Sequence, residues 1–95
     1  MPSVIWSEKA VADLVALNDW LTRYREPQEA TKSIKAIRDQ LANLSEFPAA
    51  GSPIHGGTRK LLIKNHPFVL LYEMADGRLM VIRLVHNRSD WQSLL

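Results

Sequence analysis

Apolar residues recur along this chain first at helical and then at strand spacing. Val11, Leu14, Leu17, Leu21 and Tyr24 return every three or four residues, which predicts an amphipathic helix with Ser7 as its N-cap. Val4, Ile5 and Trp6, just ahead of it, read as a short strand. A second helix begins near Pro27, whose fixed φ suits a first turn, and carries Ala30, Ile34, Ile37, Leu41 and Leu44 on one face until Pro48 and Gly51 stop it. The link at Arg25 and Glu26 is so short that the two helices should fold back as an antiparallel hairpin. From Arg59 onward the period drops to two. In the run from Arg59 to Lys64, Leu61 and Ile63 fall opposite Leu62. A second run spans Phe68 to Glu73, with Pro67 able only to open it because proline lacks the amide hydrogen of a central ladder. A third spans Leu79 to Val85, behind an Asp76-Gly77 pair suited to a tight hairpin turn. The expected fold is α+β in the order β-α-α-β-β-β, a helical hairpin packed on one face of a small antiparallel sheet, with residues 1–95 forming a single domain.

Composition narrows the class. A chain of 95 residues with 46% hydrophobic content can bury a modest core, so disorder is not expected. There is no cysteine, which removes disulfide scaffolding and thiolate chemistry and fits a reducing compartment. The longest apolar run, Phe68 to Tyr72, is too short to cross a bilayer, and the Met1-Pro2-Ser3 start has no charged and greasy leader. A soluble, cytoplasmic protein without membrane partners is the expectation. Net charge is only +2, but residues 1–58 hold six Lys/Arg against seven Asp/Glu, whereas residues 59–95 hold six against three. The sheet-bearing part thus carries the basic excess, which suits an acidic partner as well as it suits a merely solvated surface.

Two motif readings fail on their chemistry. The segment 51–58, GSPIHGGT, has glycines spaced like a phosphate-binding loop, but Gly57 stands where the lysine is needed and a strand follows in place of a helix; it reads as a turn-rich connector. His55, His66 and His86 lack paired metal-ligand spacing, so neither a metal nor a cofactor is expected.

The motifs and their order resemble the RelE/ParE superfamily of bacterial toxins. The resemblance covers nearly the whole chain and is carried by the leading strand and helical hairpin, the RKL that opens the sheet, the NHPFVLLYE run and the IRLVHNRSDW tail. It implies the toxic half of a type II toxin–antitoxin pair, with a cognate antitoxin as partner in a hetero-oligomer. One branch of the superfamily cleaves mRNA on the ribosome, which requires cations and an acid or base; the other poisons DNA gyrase by binding and requires only a complementary surface.

This sequence departs from the nuclease pattern. Val69 stands three residues before Tyr72, where the nucleases place a basic residue, and Trp91 stands where they often present a tyrosine hydroxyl. An aliphatic side chain cannot move a proton, and an indole N–H only donates. The resemblance therefore favours the gyrase-binding branch, with Arg59, Lys60, Lys64, Arg83, Arg88, Asp90 and Trp91 as target-binding candidates. A ribosome-dependent mRNA endonuclease using Arg59, His86 and Arg88 is the alternative; no catalytic residue is assigned otherwise. Each candidate also has a structural reading. Arg59 and Asp90 could pair as ions, and His86 could lie half-buried on the face of Met80, Ile82 and Leu84. Trp6, Trp20, Trp91 and Tyr72 could simply pack.

Overall fold

A computed structural model describes residues 3–94; Met1 and Pro2 of the expected leaderless start lie outside them. Strand β1 (Ser3–Trp6) leads into helix α1 (Glu8–Tyr24) and helix α2 (Pro27–Glu46). Four strands follow, β2 (Ser52–His55), β3 (Thr58–Leu62), β4 (Phe68–Ala75) and β5 (Arg78–His86), and a 3-10 turn at Trp91–Leu94 closes the chain. The sheet order is β1-β5-β4-β3-β2. The helical hairpin lies on one face, as the apolar periodicity predicts.

The structure corrects the sequence reading of the sheet in three places. The connector 51–58 contains a strand, so the sheet has five strands: β2 pairs antiparallel with β3 through a bulge between Pro53 and His55. Ser-Pro-Ile-His shows no alternation and carries a proline, a combination tolerated only at a sheet edge, where β2 lies. The sheet is also mixed, because β1 pairs parallel with β5, Ser3 against Arg78 through Trp6 against Val81. Finally, the pairing of β4 with β5 slips between Leu71 and Tyr72: Leu71 faces Arg83 whereas Tyr72 faces Val81, leaving Ile82 as the extra residue. One extra residue reverses the alternation. Leu79 and Val81 face the helices before the bulge and Leu84 faces them after it. His86 therefore does not share a face with Met80 and Ile82, and it is exposed.

Helix α1 starts as its sequence dictates. The Ser7 hydroxyl accepts the Ala10 N–H at 3.0 Å and donates to the Ile82 carbonyl at 2.7 Å, so one side chain caps the helix and ties it to β5. The buried stripe is Ala10, Leu14, Leu17 and Leu21, fully or partly covered against the sheet. Val11 and Tyr24, expected on that stripe, are 47% and 67% exposed. Trp20 at 47% is likewise outside the core. Helix α2 buries Ala30, Ser33, Ile37 and Leu44. The main core joins Ala10, Ile37 and Leu44 of the helices to Ile63, Leu70, Tyr72, Leu79, Val81 and Leu84. A second, smaller cluster covers the opposite sheet face, where Trp91 packs on Val69, Leu71 and Val85.

Two turns show why their residues are there. Asp76 and Gly77 both take positive φ, 52° and 73°, the conformation that a two-residue β4–β5 hairpin needs. Gly51 sits so close to β3 and β4 that a Cβ would lie 2.6 Å from the Tyr72 hydroxyl and 2.7 Å from the Lys60 carbonyl. That hydroxyl accepts the Gly51 N–H at 2.9 Å and donates to the Pro48 carbonyl at 2.7 Å. Tyr72→Phe should strand both backbone groups and cost about 1–3 kcal/mol, measurable as a shift in the urea midpoint at unchanged slope.

Candidate functional site

Of the seven residues expected to meet a target, the structure uses several internally. The Arg83 guanidinium forms a two-pronged pair with Asp13 of α1, Nε to Oδ2 at 2.7 Å and Nη2 to Oδ1 at 3.0 Å. The same Oδ2 accepts the Leu84 N–H at 3.0 Å. The hydrogen bond to Asp13 raises the Arg83 pKa above the ordinary guanidinium value, outweighing the opposing effect of burial. Asp13→Ala should leave all three N–H donors without their acceptor and cost about 2 kcal/mol, read in thermal unfolding. Arg59 donates to the Gly51 carbonyl at 2.7 Å and the Ala49 carbonyl at 3.4 Å, pinning the chain that leaves α2. The Arg59–Asp90 ion pair does not form. Trp91 is only 5% exposed, and Lys60 sets its ammonium 5.4 Å from the centre of that ring on the outer sheet face.

Lys64, Arg88 and Asp90 remain exposed. Lys64 and Arg88 belong to one end of the sheet, because the Asn87 N–H donates to the Pro67 carbonyl at 2.8 Å and so joins the tail to the β3–β4 turn. The tail is held by short local bonds. His86 Nδ1 accepts the Arg88 N–H at 3.0 Å, and the His86 carbonyl accepts the Ser89 N–H at 3.0 Å and its hydroxyl at 2.6 Å. Asp90 offers its carbonyl to the Ser93 hydroxyl at 2.8 Å.

The same end holds residues that sequence reasoning missed. A cleft of about 400 Å³ opens between the helical hairpin and the β3–β4 turn, with Trp20, Arg25, Lys32, His66, Phe68 and His86 in its wall. Phe68 is flanked by both histidines, its ring centre 6.2 Å from His66 and 6.3 Å from His86. Arg25 lies over the Trp20 ring at 5.2 Å. Buried Ser33 contacts His66 Nδ1 at 3.4 Å. The one available signal was Trp20, an aromatic that falls off the apolar stripe of α1, a position where packing alone gives no reason for an indole. The arrangement offers cations, exposed aromatic surface and two imidazoles. Among the described residues no cluster of His, Cys, Asp or Glu could hold a metal ion, and no helix is long and apolar enough to cross a membrane.

The nuclease set Arg59, His86 and Arg88 is not assembled. Arg59 is the partner of Tyr72 across the ladder and His86 the partner of Phe68. Four residues of β4 separate those two points, roughly 13 Å along the strand, and Arg59 and His86 lie on opposite sides of it.

Comparison with known proteins places this fold. The chain is 29% identical over 86 residues to the toxin RelE2 of Caulobacter vibrioides, an alignment covering 90% of this chain and 96% of that protein. Its structure superposes on a chain of the chromosomal ParDE TA system from P. aeruginosa with a TM-score of 0.77 and 26% identity, covering 90% of this chain and 96% of that one. A mutant of YafQ from E. coli shares the fold at a TM-score of 0.54 and 17% identity, over 90% and 93% of the two chains. Residues 4–91 match the model of the ParE toxin of the type II toxin–antitoxin system parDE, and the chain belongs to that family.

Proposed function

We propose that this toxin acts by binding, with DNA gyrase as its target, and that a cognate antitoxin neutralises it in the cytoplasm. The observation that carries this reading is the dispersal of the cations that RNA cleavage would require. Arg59 is spent on two backbone carbonyls and lies roughly 13 Å along β4 from His86, on the opposite side of that strand. A nuclease with its set dispersed in this way loses orders of magnitude in rate, whereas a binder needs only surface. The exposed Lys64 and Arg88, on an end where turn and tail are joined, supply such a surface.

Induction of the chain without its antitoxin tests the proposal. Filamentous cells, a DNA-damage response and stalled replication with ribosome-bound mRNA intact are expected. Codon-specific mRNA cleavage preceding any effect on DNA would overturn it.

A second reading has its own support. The relative from Caulobacter vibrioides bears the name RelE2, and the cleft places His66 and His86 on either side of Phe68 with Lys32 and Arg25 nearby. On that reading mRNA is cleaved at the cleft, and His86→Gln, which keeps hydrogen-bonding capacity but removes the imidazole as a proton carrier, should abolish toxicity. A gyrase binder should tolerate the change.

A further inference from the structure

Strand β1 is the sheet edge that the fold leaves unguarded. β2, at the other edge, carries Pro53 and a bulge, two devices that keep a foreign strand from pairing. β1 has neither: Ser3, Val4, Ile5 and Trp6 include no proline and no charge.

One hydrogen bond fixes where its backbone groups point. The Ser7 N–H reaches the Val81 carbonyl of β5 at 3.0 Å, and residues two apart on a strand share a side, so Ile5 also faces β5. Val4 and Trp6 therefore turn their N–H and C=O groups away from the sheet. Among the described residues nothing bonds any of these four groups. The Val4 and Trp6 side chains line an apolar pocket of about 360 Å³ together with Leu14 of α1 and Ile37 and Leu41 of α2. Arg38 is the one charged residue in its wall. Val4 is 38% exposed, and Trp6 is only partly covered by the core.

We propose that this edge pairs with the same edge of a second copy of the chain, as an antiparallel β1–β1 junction on a two-fold axis at Ile5. In that register Val4 of one copy lies opposite Trp6 of its partner, and each such pair exchanges both backbone bonds. No outward group of either strand is left over. A two-fold junction consumes the edge that makes it, so the assembly closes at two. The partner's Val4 packs against Trp6 beside the pocket, and on the opposite face the two Ile5 side chains meet directly across the axis.

Charge selects a second copy as the occupant. Ser3 stands opposite the partner's Ser7, which brings Arg78, the β5 neighbour of Ser3, to the end where the partner's α1 begins with the partner's Glu8, about 10 Å away across two strand spacings. Arg78 and Glu8 are both exposed, and neither is in an ion pair of its own chain among the described residues. The symmetry makes this opposite-sign approach twice, whereas a strand charged with one sign would meet only one of the two favourably. So short a junction falls below the size of a standard interface, and a dissociation constant of about 1–100 µM is expected. The inference concerns the chain by itself and is independent of the target.

Sedimentation equilibrium of the full-length chain freed of antitoxin, from about 1 µM to 1 mM, tests the junction. A monomer–dimer equilibrium in the expected range should appear. Val4→Lys, which sets an ammonium on the edge, should weaken it at least about 30-fold while leaving the melting temperature of the dilute chain within a few degrees. Arg78→Glu should weaken it about fivefold, and Glu8→Lys added to the same chain should restore it, a rescue that loss of fold does not produce. Amide exchange locates the contact: the Val4 and Trp6 amides should slow by about tenfold in the concentrated sample. A chain that stays monomeric at about 1 mM, a dimer that survives Val4→Lys, or one in which those two amides exchange as in dilute solution would overturn the junction and leave the proposed target standing. Slowing of the same amides only when antitoxin is added, in a chain monomeric by itself, would assign the edge to that partner and overturn the junction equally.

Discussion

Trp91→Ala is expected to destabilise the domain by about 3–5 kcal/mol, the range for truncating a buried tryptophan. Its indole is the only aromatic of the smaller cluster and lies over Val69, Leu71 and Val85, strand residues that have no helix above them. Removing it uncovers the outer face of β4 and β5 and detaches the tail in the same step. For a domain of this size the loss corresponds to a fall in Tm of at least about 12 °C. Thermal unfolding checks the result, and a Tm within a few degrees of the parent would show that the outer face is stable without the indole. Trp91→Phe, which keeps an apolar ring but loses area, should recover more than half of the deficit.

Arg88→Ala is expected to act in the opposite way, removing toxicity while leaving stability intact. The Arg88 side chain is exposed and makes no hydrogen bond or ion pair among the described residues; only its backbone N–H is engaged, with His86. A planar multidentate cation at a binding surface is worth about 1–3 kcal/mol, which is roughly five- to 150-fold in target affinity. Growth after induction, titrated against expression level, reads the loss, and Tm together with antitoxin affinity shows whether the protein is otherwise sound. Undiminished toxicity from a stable Arg88→Ala protein would remove the tail from the target surface. Arg88→Lys should restore only part of the effect, since an ammonium keeps the charge but not the fork.

Much of the fold was legible because the residues that build it are periodic. The Ser7 cap, the Pro27 start, the Asp76-Gly77 hairpin and the inward Leu61 and Ile63 each follow from local chemistry, and the structure places them as that chemistry requires. What escaped the sequence was non-local or aperiodic. β2 carries no alternation, and its presence depends on pairing with β3. The bulge at Ile82 exists only because β4 and β5 are in register on both sides of it, and periodicity read straight through it assigned His86 to the wrong face. The candidate site was legible in part for the same reason. A list of basic residues cannot separate Arg83, whose carboxylate lies 70 positions away in the chain, from Lys64, which meets water. Nor could it reveal that Trp20 and Arg25 of the hairpin meet His66 and His86 across a cleft, because that meeting is made by the packing of α1 on β5.

The parallel pairing of β1 with β5 has a consequence for when this protein can become poisonous. Ser3 to Trp6 wait for Arg78 to Val81 before the sheet can close, a span of about 75 residues that takes roughly 4–15 s to synthesise at cellular elongation rates. The Lys64 turn and the Arg88 tail come together only after Asn87 has emerged and bonded Pro67. A nascent chain therefore lacks a closed sheet and a joined turn and tail while it is being made, and a product truncated before Asn87 never acquires them. Contacts of such long range also slow the final folding step relative to a helical domain of equal length. Whatever depends on the joined turn and tail is thus confined to chains that extend beyond Asn87.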